Sequence, residues 1–159
     1  MFMFNIILII GLIAILVWAS IIDFYDMIVP DLANLAVAFL GIVRIVAFEK
    51  INFLDASFGV ILGGGLLLCV RESFRIFRQS DALGLGDVKL LASAGIWVGW
   101  AGIGPVLLIG SLSAFFAFVF RAIRIGRPSF KDPMPFGPFL AFGIIDVVVF
   151  FETLNWQVF

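Results

Sequence analysis

The chain has 159 residues, of which 64% are hydrophobic and only 13% are charged. Soluble domains are close to half apolar and a quarter charged, so this composition excludes an ordinary soluble domain. Histidine is absent and Cys69 is the single cysteine, which excludes a Ser-His-Asp triad, a His-ligated zinc site and an intramolecular disulfide. The net charge of −1 offers no general attraction for nucleic acid. The carboxylates are therefore the leading candidates for acid–base chemistry.

Apolar runs separated by polar turns predict an all-α, polytopic membrane protein with about six transmembrane helices, since each span needs about 20 apolar residues. The predicted spans are 2–22, 32–48, 54–70, 88–101, 104–121 and 138–155. The first lacks a basic segment before it and a small-residue cleavage site after it, so we interpret it as a retained span. We predict a single membrane-embedded domain over 1–159.

The basic residues predict the orientation. They cluster in the turns predicted after spans three and five: Arg71, Arg75, Arg78, Arg121, Arg124, Arg127 and Lys131. The other side has only Lys50 in its loops, with Arg44 near the end of span two. The positive-inside rule then places the turns after spans one, three and five in the cytoplasm and both termini outside. Segments 23–31, 84–89 and 133–138 fall on the cytoplasmic side together.

Small residues are frequent in two of the predicted spans. Gly59 and Gly63 to Gly65 lie in span three, and Gly95 and Gly99 lie in span four. Small residues at such spacing let helices approach closely in lipid, so the pattern predicts helix packing.

Two aspartates at membrane edges are the strongest candidates for chemistry. Asp23 follows the first apolar span, and Asp87 lies in the segment Gly84 to Lys89, GLGDVK. Partial desolvation raises the pKa of a carboxyl group, and repulsion within a close pair keeps one member protonated while the other ionises. Such a pair activates water with its ionised member and protonates a carbonyl oxygen with the other. We expect Gly84 and Gly86 to adopt backbone conformations barred to other residues and to admit a peptide closely.

A structural interpretation of the same aspartates stays open. A single aspartate at a helix end is commonly a cap or a solvated turn residue, and Asp87 fits the N-cap of span four. Asp31 follows Pro30 and fits the N-cap of span two. Two aspartates at one membrane face, one of them flanked by glycine, favour the functional interpretation.

Several segments resemble one known family. Residues 84–87, GLGD, match the GxGD signature of intramembrane aspartyl proteases, and 82–100, ALGLGDVKLLASAGIWVGW, resembles the type IV prepilin peptidases among them. Residues 23–31, DFYDMIVPD, are similar to that family's first aspartate motif, and Asp23 and Asp87 lie 64 positions apart, as the family's arrangement requires. Residues 135–143, PFGPFLAFG, resemble its C-terminal motif.

The resemblance implies an aspartic-type endopeptidase with Asp23 and Asp87 as the catalytic pair, and neither a metal nor another cofactor. The implied substrate is a membrane-anchored prepilin-like precursor of a type IV pilus or protein secretion system. Its short basic leader is expected to be removed at the cytoplasmic face of the bacterial inner membrane. Longer members carry an N-terminal segment with paired Cys-x-x-Cys motifs and also N-methylate the product. This chain resembles a short form, for which zinc binding is not expected and methyltransferase activity is doubtful.

Other residues near the two motifs have open roles. Asp26 follows Tyr25 as in presenilin and competes with Asp23 for the first catalytic position, although more residues agree with Asp23. Asp26 and Asp31 are alternatively attractors of the basic leader. Lys89 either lowers the pKa of Asp87, contacts substrate or extends to lipid headgroups. The segment Pro135, Phe136, Gly137 and Pro138 is expected to shape peptide access, or simply to start a helix.

Asp146 lies inside the last predicted span, where an ionisable group is costly. One interpretation pairs it with Arg44. Two other classes of function also stay open: an assembly factor that holds pilin precursors without cutting them, and a small ion or solute carrier that uses Asp23, Asp87 and Asp146 as a relay.

Overall fold

The computed structural model describes residues 2–48, 51–78, 84–125 and 134–154, and the regular structure in these ranges is entirely helical. These ranges contain five helices: α1 Phe2–Asp26, α2 Asp31–Phe48, α3 Phe53–Arg78, α4 Leu85–Ile125 and α5 Gly137–Thr153. The first four are long and apolar enough to cross a membrane, whereas α5 has 17 residues. The described part of the chain thus confirms the all-α class.

Helix α4 differs from the prediction. It covers both spans predicted at 88–101 and 104–121, and the interruption is a kink at Gly99, where φ is 63° and ψ is −175°. The break predicted at 102–103 was therefore placed three residues too late. A positive φ falls on glycine because glycine has no Cβ to clash with the backbone. The 41 residues of α4 correspond to about 60 Å of helix measured along the chain, roughly twice the thickness of the hydrocarbon core.

The basic residues lie on helices and not in the predicted turns. Helix α3 continues to Arg78, and Arg121 and Arg124 lie on α4. The apolar runs end earlier than the helices because arginine is a good helix former and its long side chain reaches out of the apolar layer. Arg127 and Lys131 lie outside the described residues.

Direct backbone contact joins α3 to α4. A Cβ added to Gly59 would lie 2.5 Å from the carbonyl oxygen of Gly95, and one added to Gly63 would lie 2.7 Å from the carbonyl oxygen of Leu91. Both separations are shorter than any van der Waals contact, so only glycine fits. The predicted packing role is confirmed for Gly59, Gly63 and Gly95, and these contacts fix α4 in depth and rotation, whereas it is wrong for Gly65, around which an added Cβ would meet nothing within 4 Å.

A buried polar cluster lies at the end of the bundle where α1 begins. Arg44 of α2 forms an ion pair with Glu152 of α5 at 2.9 Å and donates to Asn5 of α1 at 3.1 Å. Asn5 in turn donates to Glu152 at 2.7 Å, and the guanidinium lies 5.4 Å from the ring centre of Trp97 on α4. Four helices are therefore joined through one cation.

The proposed pair between Arg44 and Asp146 is wrong. Asp146 is exposed on α5 and forms no ion pair within the described residues. Glu152 lies six residues further along α5, about 9 Å deeper, and reaches the level of Arg44.

Candidate active site

A cavity of about 660 Å³ opens at the opposite end of the bundle, where α1 ends and α2, α4 and α5 begin. Helix α3 contributes a single residue, Arg71. The lining residues are Asp23, Met27, Ile28, Val29, Pro30, Asp31, Arg71, Gly84, Leu85, Gly86, Asp87, Lys89, Met134, Pro135 and Phe136. The cavity thus gathers three segments that are far apart in sequence.

Asp23 and Asp87 face this cavity together. Asp23 lies in the last turn of α1 and is 5% exposed, and Asp87 lies in the first turn of α4 and is 7% exposed. Val29 packs against both sites: an added Cβ would lie 2.8 Å from it at Gly86, next to Asp87, and 3.1 Å from it at Gly137, which is hydrogen-bonded to Asp23. Two buried acids on different helices, facing one cavity, form an arrangement suited to acid–base chemistry on a peptide bond.

The carboxyl group of Asp87 lies near the start of its own helix and also lines the cavity. It is the third residue of α4, so it is not the N-cap, and its carboxyl group interacts with the backbone of Gly84 just before the helix. A side chain at this position commonly reaches back in this way. Its Oδ1 is buried and has no hydrogen-bond partner within the described residues.

Asp23 is held by the start of α5. The backbone N–H of Gly137, the first residue of that helix, donates to Asp23 Oδ2 at 3.0 Å. The N-terminus of a helix carries partial positive charge, which favours a carboxylate at this place. A Cβ added to Gly137 would lie only 2.6 Å from Asp23 Oδ2, so a larger residue would force the two groups apart.

Gly86 provides close packing and not an unusual backbone conformation. A Cβ added to it would lie 2.8 Å from Cβ of Val29, in the connection between α1 and α2. Neither Gly84 nor Gly86 has the left-handed φ that was expected, since Gly99 is the glycine with positive φ in the described chain. The conformational part of the prediction is therefore wrong. Around Gly84 an added Cβ would lie at ordinary contact distances, 3.5 Å from Asp87 Oδ2 and 3.9 Å from the backbone nitrogen of Gly86.

The connection between α1 and α2 forms one wall. Met27 directly follows α1 and has a φ of 56°, a left-handed conformation that is uncommon for a residue other than glycine. Its N–H donates to the Asp23 carbonyl at 3.0 Å. The Pro30 carbonyl accepts the first bonds of α2, from Ala33 and Asn34. Pro30 thus occupies the capping position, and the prediction of Asp31 as N-cap is wrong by one residue.

Asp31 instead pairs with Lys89. Lys89 Nζ lies 2.6 Å from Asp31 Oδ1, with the two side chains 50% and 69% exposed. The pair joins the first residue of α2 to the fifth residue of α4 at the cavity. None of the roles predicted for Lys89 and Asp31 included this contact. The contact depends on how α2 and α4 are placed beside each other, which the sequence does not show.

The remaining predicted residues divide into two groups. Pro135 and Phe136 line the cavity, whereas Pro138 faces a different hollow on the outside of the bundle. Asp26 is exposed at the end of α1 and does not line the cavity, which favours Asp23 over it. Sequence reasoning missed Arg71, which it used only to orient the chain. The sequence shows only that Arg71 lies at the end of an apolar run, and this position does not reveal whether the side chain faces the cavity.

Residues 10–121 match the model of the type IV leader peptidase family, a stretch that contains both aspartates. The chain belongs to the type IV leader peptidase family. It is 37% identical over 125 residues to a prepilin leader peptidase/N-methyltransferase of Escherichia coli strain K12, covering 78% of this chain and 54% of that protein. It is 35% identical over 133 residues to a protein of the same name in Burkholderia pseudomallei strain 1026b, covering 84% and 43%.

A third relative is the leader peptidase HopD of Escherichia coli. The two chains are 39% identical over 87 residues, which cover 55% of this chain and 56% of HopD. The chain therefore spans about half the length of these curated relatives. No solved structure matches it.

Proposed function

We propose that this chain is an intramembrane aspartyl endopeptidase that removes the leader peptide of type IV prepilin-like precursors, with Asp23 and Asp87 as its catalytic residues. The observation that carries the proposal is the position of two buried aspartates from α1 and α4 in one cavity at the end of an apolar bundle. The family of the chain and the names of its relatives, which are leader peptidases, support the same reaction.

The proposed chemistry uses the two carboxyl groups as a unit that holds one proton, because two like charges at short range oppose each other. The ionised member takes a proton from water as the water oxygen bonds to the carbonyl carbon, and the protonated member donates to the carbonyl oxygen. One carboxyl group then gives its proton to the nitrogen, the C–N bond breaks and the amine leaves. The other carboxylate takes a proton from one of the two hydroxyls as the carbonyl re-forms, which restores the pair with one proton. The N–H of Gly137 and the backbone at Gly84 orient the two carboxyl groups for these transfers.

We further propose a single domain over 1–159 that crosses the bacterial inner membrane six times, with both termini outside and the cavity facing the cytoplasm. The kink at Gly99 divides α4 into segments 85–98 and 100–125, about 21 Å and about 39 Å of helix against a hydrocarbon core of about 30 Å, and we assign one crossing to each. The end of α1 and the starts of α2, α4 and α5 meet at the cavity, as alternating crossings require. Arg71 and Arg75 lie at this same end of α3, in agreement with the positive-inside rule.

The test is cleavage of a purified precursor by the detergent-solubilised protein, followed by mass spectrometry. We expect Asp23→Asn and Asp87→Asn to lower the rate by about 10³-fold or more, since each removes one proton-transfer group. The matched control is Asp26→Asn, which changes an exposed aspartate in the same helical turn as Asp23 and should retain kcat, because Asp26 does not line the cavity. Full cleavage by Asp87→Asn would exclude the mechanism. The product mass also reveals whether a methyl group is added.

A further inference from the structure

A second hollow of about 580 Å³ lies on the outside of the bundle between α1 and α5. Its walls are apolar and include Val17, Ile21 and Phe24 from α1 and Pro138, Phe142 and Ile145 from α5. We name this hollow the α1–α5 groove. Several of these side chains are exposed in the isolated chain, so the groove is open to the bilayer.

The α1–α5 groove lies directly beside the candidate active site. Phe24 follows Asp23 in the chain and Pro138 follows Gly137, while the hydrogen bond from Gly137 to Asp23 lies between groove and cavity. Asp23 itself faces the cavity. The same contact between α1 and α5 therefore separates an apolar surface from the acidic site.

An acidic residue follows the apolar groove along α1. From Val17 to Tyr25 it extends for about 12 Å, or roughly two helical turns. The next residue is Asp26, which is exposed and forms no ion pair within the described chain. A ligand that is apolar along its length and cationic at one end would match this sequence of surfaces.

We propose that the α1–α5 groove is the docking site for the apolar membrane helix of the precursor. This inference rests on the proposed function. A substrate that stays in the bilayer during cleavage must pack its helix against the enzyme, with the end of that helix at the depth of Asp23. The groove meets both conditions. Membrane segments carry Lys and Arg on their cytoplasmic flank, so that flank would lie beside Asp26.

Filling the groove tests the inference by kinetics. In Val17→Trp, the indole replaces a half-exposed valine of the groove, and we expect KM for a full-length precursor to rise about tenfold with kcat little changed, the pattern of lost ground-state binding. The matched control is Ile10→Trp, seven residues earlier on the same face of α1, exposed but outside the groove. Its KM should equal that of the wild type. Equal KM values for all three proteins would overturn the docking site.

Cross-linking identifies the occupant. A photoreactive amino acid at Ile21 or Phe142, in the Asp87→Asn background, should cross-link to the precursor, and the same group at the exposed Phe39 of α2 should not. Cross-links to lipid alone would show that the groove holds only acyl chains, and equal yields of precursor from Phe39 would show that the contact is not specific to the groove. Either result would overturn the docking site. Cross-links from Ile21 together with no cleavage by the wild type would reject the proposed protease while keeping the docking site. Cleavage without these cross-links would do the reverse.

Discussion

The backbone N–H of Gly137 donates to the carboxylate of Asp23 at 3.0 Å, across 114 positions of sequence. The contact makes the start of α5 part of the candidate active site, although α5 supplies no acid to the cavity. It also gives segment 135–138 a physical role, because the start of α5 can approach the Asp23 carboxylate only if residue 137 has no side chain. The donor is a main-chain group, which a substitution cannot remove but can displace.

Gly137→Ala should therefore impair cleavage without unfolding the chain. The added methyl group would lie 2.6 Å from Asp23 Oδ2, and a displacement of about 1 Å at a catalytic group costs on the order of 100-fold in rate. The measurement is kcat/KM for precursor cleavage. Gly104→Ala is the control, because an added Cβ there has no neighbour within 4 Å, and it should behave as wild type. Wild-type kcat/KM in Gly137→Ala would show that the position of Asp23 is not critical.

The pair of Lys89 and Asp31 should act as one unit. Because both side chains are at least half exposed, the pair contributes at most about 1 kcal/mol to stability. We expect Lys89→Gln and Asp31→Asn to lower kcat/KM equally, and the double variant to be no worse than either single one. A much larger loss in Lys89→Gln than in Asp31→Asn would instead indicate that Lys89 acts directly on Asp87 or on substrate.

Arg44, the buried cation at the end of the bundle opposite the cavity, should contribute to the stability of the fold. Arg44→Leu leaves Glu152 and Asn5 without their shared partner, and breaking a buried ion pair costs about 3 kcal/mol or more. Thermal unfolding in detergent should show a clear loss, partly restored when Glu152→Leu is added. Asp146→Asn is the comparison, since that side chain is exposed, and it should be neutral or slightly stabilising. A larger effect at Asp146 than at Arg44 would contradict this account.

Contact between α3 and α4 should tolerate no added volume. In Gly59→Ala the new methyl group would lie 2.5 Å from the Gly95 carbonyl oxygen, a backbone atom that cannot rotate away, so overpacking should cost about 1–3 kcal/mol. On the same helix Gly65→Ala meets nothing within 4 Å and should be neutral. Unfolding midpoints of the two variants give the comparison. Equal midpoints would show that the two helices can separate at no cost.

Much of the architecture follows from local patterns. Apolar runs long enough to cross a bilayer predict the helices, since each backbone polar group in lipid must bond within its own helix. Small residues at regular spacing predict where α3 and α4 touch, and Gly59 and Gly95 do touch there. Asp23 and Asp87 could be selected because acids at membrane edges are few and costly. Their catalytic role stays a prediction.

The tertiary structure alone decided which groups meet. The partner of Arg44 is Glu152 and not Asp146, because pairing depends on depth along two different helices. The contacts of Lys89 with Asp31 and of Gly137 with Asp23 depend likewise on how helices rotate and approach. The position of the kink at Gly99 was equally hidden, since several glycines nearby have the same local freedom. A sequence thus specifies the chemistry that each helix carries, whereas contacts between helices arise from the packing of the whole bundle.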